Sequence, residues 1–170
     1  MKAFIALLRA VNVGGTGKLP MTELKTLCEA AGFEAVRTYI ASGNVVFKSR
    51  TSEAQVKAAL EAALGDYAGK PVGVLVRTAA EMAAVLAANP FQEKPTNLTH
   101  AIFLDAPPQA DALEAVSGRR NELLRLGMRE IYVFYADGAG ASKLKIPAAK
   151  SGTARNMNTV AKLAEMAAAL

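Results

Sequence analysis

A chain of 170 residues, 52% of them hydrophobic, is long enough to bury a core as one domain or as two small halves. No apolar run approaches the ~18 residues of a membrane span; one cysteine excludes an internal disulfide, and one histidine without cysteine partners excludes a structural zinc site. The formal net charge of +5 favours anionic partners without choosing among them.

The opening segment Met1-Lys2-Ala3-Phe4-Ile5-Ala6-Leu7-Leu8-Arg9 is apolar only from Ala3 to Leu8. That is short of the ~7–15 residues of a secretory leader, and no small-residue cleavage site follows cleanly. Residues 3–8 read as a first strand instead, and a cytoplasmic location follows. Pro20 opens a helix to about residue 31, since proline suits a first helical position, and Gly32-Phe33 gives it a C-terminal stop. Cys28 joins Leu24, Leu27 and Ala31 at helical spacing, which places it in the core. Strands at 36–41 and 45–47 flank the tight turn Ser42-Gly43-Asn44. Ser52 and Gln55 form a capping box for a helix with Val56, Leu60, Ala63 and Leu64 on one face, and 72–76 is the next strand. The order βαββαβ is that of a ferredoxin-like unit.

Thr78 with Glu81 caps a further helix, ended by Asn89-Pro90, and residues 90–97 read as a linker. The second half then reads as a strand at 100–105, a helix at 108–117, strands near 122–126 and 130–135, and a long helix from about residue 154. His100, at the start of its strand, reads as a packed histidine rather than a general base. This order, βαββα, repeats the theme without a last strand. The divisions are 1–77 for the first half, 78–98 for the linking helix and linker, and 99–170 for the second half. The runs at 4–8, 72–76, 101–104 and 131–135 are nearly all apolar, which predicts strands buried on both faces. The halves would then cover each other and behave as one cooperative domain, an α/β (α+β) fold of two ferredoxin-like halves.

Three polar segments interrupt these elements and carry what functional signal there is. Gly14-Gly15-Thr16-Gly17-Lys18 lies between a strand and a helix, where phosphate-binding loops sit. It is not a Walker A loop, because Asn12 stands at the first required glycine and Leu19 replaces the magnesium-holding Ser/Thr. A looser anion nest or a plain connection remains. Ser42-Gly43-Asn44 is ordinary turn chemistry, or a pair of side-chain donors beside that first loop. Between Gly138 and Ala164 stand Lys143, Lys145, Lys150, Arg155 and Lys162 with no acid. Arg155, Asn158, Thr159 and Lys162 fall at i, i+3, i+4 and i+7, which predicts a polar stripe on the last helix, with Met157 and Val160 turned inward. No carboxylate sits among these segments, which argues against acid/base hydrolysis and against an oxygen-ligated metal. Ser42 has no histidine in its own segment with which to build a triad.

The candidate ligand-binding residues are therefore Arg9, Asn12, Gly14, Gly15, Lys18, Ser42, Asn44, Lys143, Arg155, Asn156 and Asn158. They predict a phosphate- or carboxylate-bearing small ligand held at the junction of the halves, by cations for charge and asparagines for direction. One alternative is a nucleic-acid-binding module using the basic 138–164 region, with Lys143 and Lys145 on phosphates. Another is an enzyme of unknown reaction in which a lysine or arginine acts on a bound anion. No membrane or metal is called for, and the segments leave the cofactor unknown.

The same segments carry a family resemblance. Phe4-Ile5-Ala6-Leu7-Leu8-Arg9-Ala10-Val11-Asn12-Val13-Gly14-Gly15, Arg37-Thr38-Tyr39-Ile40-Ala41-Ser42-Gly43-Asn44-Val45-Val46-Phe47, Asn89-Pro90-Phe91, Ser142-Lys143-Leu144 and Ala154-Arg155-Asn156-Met157-Asn158-Thr159-Val160 resemble the bacterial family known as domain of unknown function 1697. The resemblance extends over essentially the whole chain and implies a small two-part α/β protein with no assigned activity. That family usually has glycine where this chain has Ala10, so the position should need no positive φ here. It also has tryptophan where this chain has Met157, so no aromatic is offered there for stacking on a base.

Overall fold

A computed structural model of the chain describes residues 1–11 and 18–170. The first half forms where the apolar runs predict it. β1 (Lys2–Leu8), β2 (Glu34–Tyr39), β3 (Asn44–Ser49) and β4 (Val74–Thr78) make an antiparallel sheet in the order β2-β3-β1-β4. Helix α1 (Met21–Ala30) follows β1 and α2 (Glu53–Ala68) follows β3, completing the βαββαβ order. α1 begins after Pro20 and ends at Gly32, whose φ of 91° lets the Phe33 N–H donate back to Cys28 O. At the start of α2, Ser52 Oγ accepts from the Gln55 N–H while Gln55 Oε1 accepts from the Ser52 N–H. One face of the sheet packs Phe4, Ala6, Leu8 and Phe47 against Leu24, Cys28, Leu60 and Leu64. Phe33, just past the helix stop, stacks on Phe47 with ring centroids 4.3 Å apart. Cys28 is fully buried there, and burial, helped by Glu29, pushes its thiol up to about 12, so it stays protonated and packs as a small hydrophobe. Ile5, Leu7, Val46 and Leu75, on the other face, are at most 1% exposed. Burial on both faces is what the uninterrupted apolar runs required.

The second half repeats the strand order. Helix α3 (Ala79–Ala87), capped reciprocally by Thr78 and Glu81, precedes β5 (Thr99–Phe103), β6 (Leu123–Leu126), β7 (Glu130–Phe134) and β8 (Thr153–Asn156). Their order, β6-β7-β5-β8, is that of the first sheet with each strand replaced by its counterpart. Ile102, Leu104, Leu124, Ile131 and Val133 form its core. The helix expected at 108–117 is absent: only a 3-10 turn, Ala112–Ala115, forms between β5 and β6. Leu113 and Val116 are the only large apolar side chains between Pro108 and Gly118, too little apolar face to hold a short helix against the sheet. The last strand, missing from the sequence reading, is β8. Its Thr-Ala-Arg-Asn composition hides it, yet it pairs with β5 from His100↔Asn156 to Phe103↔Thr153. Helix α4 (Met157–Ala168) consequently starts three residues later than predicted.

The chain divides into two compact units, Met1–Met82 with Leu163–Leu170, and Ala83–Lys162. The second unit thus holds the end of α3, where the Tyr132 hydroxyl donates to Val85 O at 2.7 Å. No helix among the described residues is long and apolar enough to cross a membrane.

Three described non-glycine residues have positive φ: Ala35, at 54°, sits in the bulge of β2, while Ala10, at 51°, and Ile40, at 49°, follow the ends of β1 and β2, against the expectation that position 10 would need no positive φ. The left-handed region costs an L-residue about 1–2 kcal/mol, and a β-branched side chain suffers most. Glycine relieves that strain but loses more freedom on folding. Ile40→Gly and Ala10→Gly should each therefore raise stability by about 0.5–1 kcal/mol. Urea unfolding checks this: the midpoint should rise at constant m, and a fall would mean that contacts of these side chains outweigh the strain.

Candidate functional site

The site is built around the end of β1. This strand lies between β3 and β4, with Leu7 opposite Asn44 and Leu8 opposite Val74. Two further backbone bonds extend the pairing: the Leu8 N–H donates to Gly43 O and the Arg9 N–H to Gly73 O, both at 2.9 Å. Residues 8–9 are therefore fixed between the Ser42-Gly43-Asn44 turn and the approach to β4. Gly43, at φ 87°, is required there: a Cβ would stand 2.6 Å from Val11 Cγ2 and 2.9 Å from Leu8 Cβ.

A cavity of about 850 Å³ opens beside this point, within the first unit. Arg9, Lys18 and Lys70 line it, together with Tyr67, Leu64, Val72 and Pro71. No carboxylate is among its described lining residues. Arg9 is half-buried, while Lys18, Lys70 and Tyr67 are exposed. The Arg9 side chain runs across Gly73, where a Cβ would stand 3.0 Å from its Cδ. Leu64, Tyr67 and Ala68 come from the last turn of α2, which brings about half a negative charge to one wall. Lys70 stands just past the Gly69 cap, where a cation suits that partial charge.

Two candidates from the sequence, Arg9 and Lys18, thus meet in one cavity. Asn12, Gly14 and Gly15 lie outside the described residues. Ser42 and Asn44 lie at the same end of the sheet, as the register allows, but Asn44 is fully buried. Its Nδ2 donates to Tyr39 O and to Ser42 Oγ, both at 2.9 Å, so its two N–H donors close the turn. Lys70 and Tyr67 were missed. The signal available for them was topological: in this strand order the start of β4 must meet the end of β1, so Gly69-Lys70-Pro71 must approach Arg9.

The second-unit candidates do not line this cavity. Arg155 is on β8 rather than on a helical stripe; its Nη1 donates to Thr153 Oγ1 and Ala154 O, and burial lowers its pKa to about 10. Asn156 caps α4 by accepting the Thr159 N–H, and Asn158 Oδ1 accepts from Thr96 Oγ1. Ser142 ties down the loop that carries Lys143. Its hydroxyl donates to Glu122 at 2.5 Å and accepts the Leu144 N–H, and this bond with that of the Arg120 N–H holds the Glu122 carboxyl below its ordinary range. Lys145 pairs through its backbone with Ser117, and Gly118, at φ 70°, sits so near Lys143 O that a Cβ would be 2.1 Å away. A separate cavity of about 720 Å³ in this unit is lined by Asp105, Asp111 and Glu114, a charge that repels anions.

His100 lies on β5 opposite Val133 and Asn156, with its ring edge-on to Tyr135 at 5.2 Å. Its Nδ1 is buried without a hydrogen-bond partner, and desolvation holds its pKa below 6.5.

A family model described as "Protein of unknown function (DUF1697)" matches residues 1–132. The matched span includes Arg9, Lys18 and the whole cavity of the first unit, and it stops before Ser142-Lys143-Leu144. Among solved structures, a conserved bacterial protein from Streptococcus pneumoniae, SP0830, matches with a TM-score of 0.80 and 25% sequence identity. That match covers 97% of this chain and 98% of the other. No curated protein matches the chain.

The state of His100 leads to a pH dependence. Because its folded-state pKa lies below the unfolded value, the unfolded chain binds more protons over that interval. Stability should be complete above about pH 6.5, fall as pH drops below it, and level off under the folded-state pKa. In His100→Phe this part of the acid slope should vanish from a plot of Tm against pH. An unchanged slope would assign the acid sensitivity to other groups.

Proposed function

The chain belongs to the DUF1697 family of proteins of unknown function, and we propose that it binds an anionic, phosphate- or carboxylate-bearing small molecule in the cavity beside the end of β1. The observation that carries this reading is the meeting of Arg9, Lys18 and Lys70 around one concave, partly apolar space with no carboxylate among its described lining residues. Cavities of this size suit small ligands, and a few cations among apolar walls give such a ligand both charge and direction. Val11 and Lys18, the described residues on either side of 12–17, both line the cavity. Binding alone is proposed.

A second reading, nucleic-acid binding on the basic second-unit loops, has one observation in its favour. The pairing of Ser117 with Lys145 brings the exposed Arg119 and Arg120 onto the loop that carries the exposed Lys143 and Lys145. Phosphate contacts by such a patch depend on salt through counterion release.

The first reading is tested by calorimetry with inorganic phosphate, pyrophosphate and citrate. At least one should bind, and Lys18→Ala, an exposed substitution, should weaken it by about 1–2 kcal/mol. Arg155→Ala should leave the affinity unchanged. No binding by any of the three anions would overturn the reading. For the second, single-stranded RNA binding should show a log-log salt slope that falls by about 1–2 in the double variant Lys143→Ala, Lys145→Ala. A flat salt response removes it.

A further inference from the structure

We infer that β6 is a docking edge for an extended segment of a partner protein, which adds a strand to the second sheet and carries an acidic residue opposite Arg125. A strand at the edge of a sheet leaves one side of its backbone unpaired, and folds cover or break that side. Three of the four sheet edges are managed in this way. Along β4, Val74 O accepts from Lys57 Nζ, the Val74 N–H donates to Glu61 Oε2 at 3.3 Å, and Val76 O accepts from Arg77 Nη1 at 2.9 Å. Along β8, Ala154 O accepts from Arg155 Nη1 at 2.9 Å. β2 is broken by its bulge between Glu34 and Arg37.

β6 has no such cover. The Gly127 N–H donates to Glu130 O, and the pairing runs on through Leu126↔Ile131 and Leu124↔Val133. The alternation of an antiparallel pair therefore turns the N–H and C=O groups of Leu124 and Leu126 away from β7. Those groups have no hydrogen bond among the described residues. Neither a proline nor a bulge interrupts the strand. Its side chains say what should pair there. Leu123 is 38% exposed, and Arg125, on the same face, is exposed with no hydrogen bond or ion pair among the described residues. The exposed Arg119 and Arg120 stand just before the strand. An added antiparallel strand sets one residue opposite Arg125 and, two further on, another opposite Leu123; a carboxylate and an apolar side chain complement them. Nucleic acid would meet the arginines but lacks the alternating donors and acceptors that Leu124 and Leu126 call for. A second copy of β6 would match the backbone but would bring the arginines of both copies together, which is unfavourable.

The test is an amide-resolved NMR titration of the full chain with the peptide acetyl-Val-Glu-Val-Val-Glu-Glu-amide. Antiparallel to β6, its first four residues stand opposite Leu126, Arg125, Leu124 and Leu123. The Leu124 and Leu126 amide signals should move most. Methylating the amide nitrogen of the third peptide residue, which faces Leu124 O, should weaken binding about ten-fold. Methylating that of the second, which points away from β6, should leave it unchanged. Arg125→Glu, an exposed substitution, should weaken the peptide about five-fold and favour by a similar factor the peptide with lysines in place of its glutamates. Equal losses from the two methylations, or no movement of the Leu124 and Leu126 signals, would overturn the inference. So would movement of those signals when the chain alone is concentrated, which identifies a second copy as the occupant. Movement with single-stranded RNA but not with the peptide would overturn it in favour of a nucleic acid.

Discussion

The antiparallel register of β1 between β3 and β4 is the constraint on which the first unit and its candidate site depend. Leu7↔Asn44 and Leu8↔Val74 fix where the strand ends, and the bonds Leu8 N–H to Gly43 O and Arg9 N–H to Gly73 O carry the pairing past that end. A slip of one residue would exchange the faces of β1, moving Phe4, Ala6 and Leu8 out of the helix-covered core and turning Arg9 away from the cavity. The same two bonds bring the 40–44 turn and the 70–73 approach to β4 onto either side of residues 8–10. The positive φ of Ala10 and the close fit of Gly43 against Val11 and Leu8 follow from that crowding. Strain of this kind persists only where the surrounding contacts over-determine it, and at Ala10 it borders the cavity lined by Arg9, Lys18 and Lys70.

Both units use the same strand order, yet they present opposite chemistry. The first sheet carries two full helices and a cavity lined by Arg9, Lys18 and Lys70; the second has a 3-10 turn after its first strand and a cavity lined by Asp105, Asp111 and Glu114. The shared order comes from burying a twisted four-stranded sheet with short connections. The difference lies in the connections themselves, which the sheet does not constrain. The same architecture is present in the pneumococcal protein at 25% identity. A fold held in common at that identity says little about ligands, which depend on the few side chains at strand ends.

Much of the polar signal in the sequence turned out to hold backbone. Asn44 closes its hairpin, Asn156 caps α4, Ser142 binds Glu122 and the Leu144 N–H, and Arg155 bonds Thr153 and Ala154. Each residue type suits ligand binding and turn chemistry equally well, because both tasks need short donors and acceptors near exposed backbone. Spacing along the chain cannot tell the two apart; only the partner atoms can. His100 is the opposite case: its single occurrence drew attention as a possible base, and its buried, unpartnered Nδ1 marks it as a packed neutral ring.

The sequence by itself determined the strands of the first half, the capping boxes at Ser52–Gln55 and Thr78–Glu81, the Gly32-Phe33 stop, the burial of Cys28 and the two-faced burial of the central strands. All of these are local, set by periodicity, by caps within four residues, or by an uninterrupted apolar run. Tertiary structure alone decided that 153–156 is a strand, because Thr-Ala-Arg-Asn has no strand pattern and is held by pairing with β5 across some fifty residues of chain. It also decided that Lys70 and Tyr67 join Arg9 and Lys18, since two loops far apart in sequence meet only when β4 pairs beside β1. Contacts of that range depend on register, and register is a property of the assembled sheet.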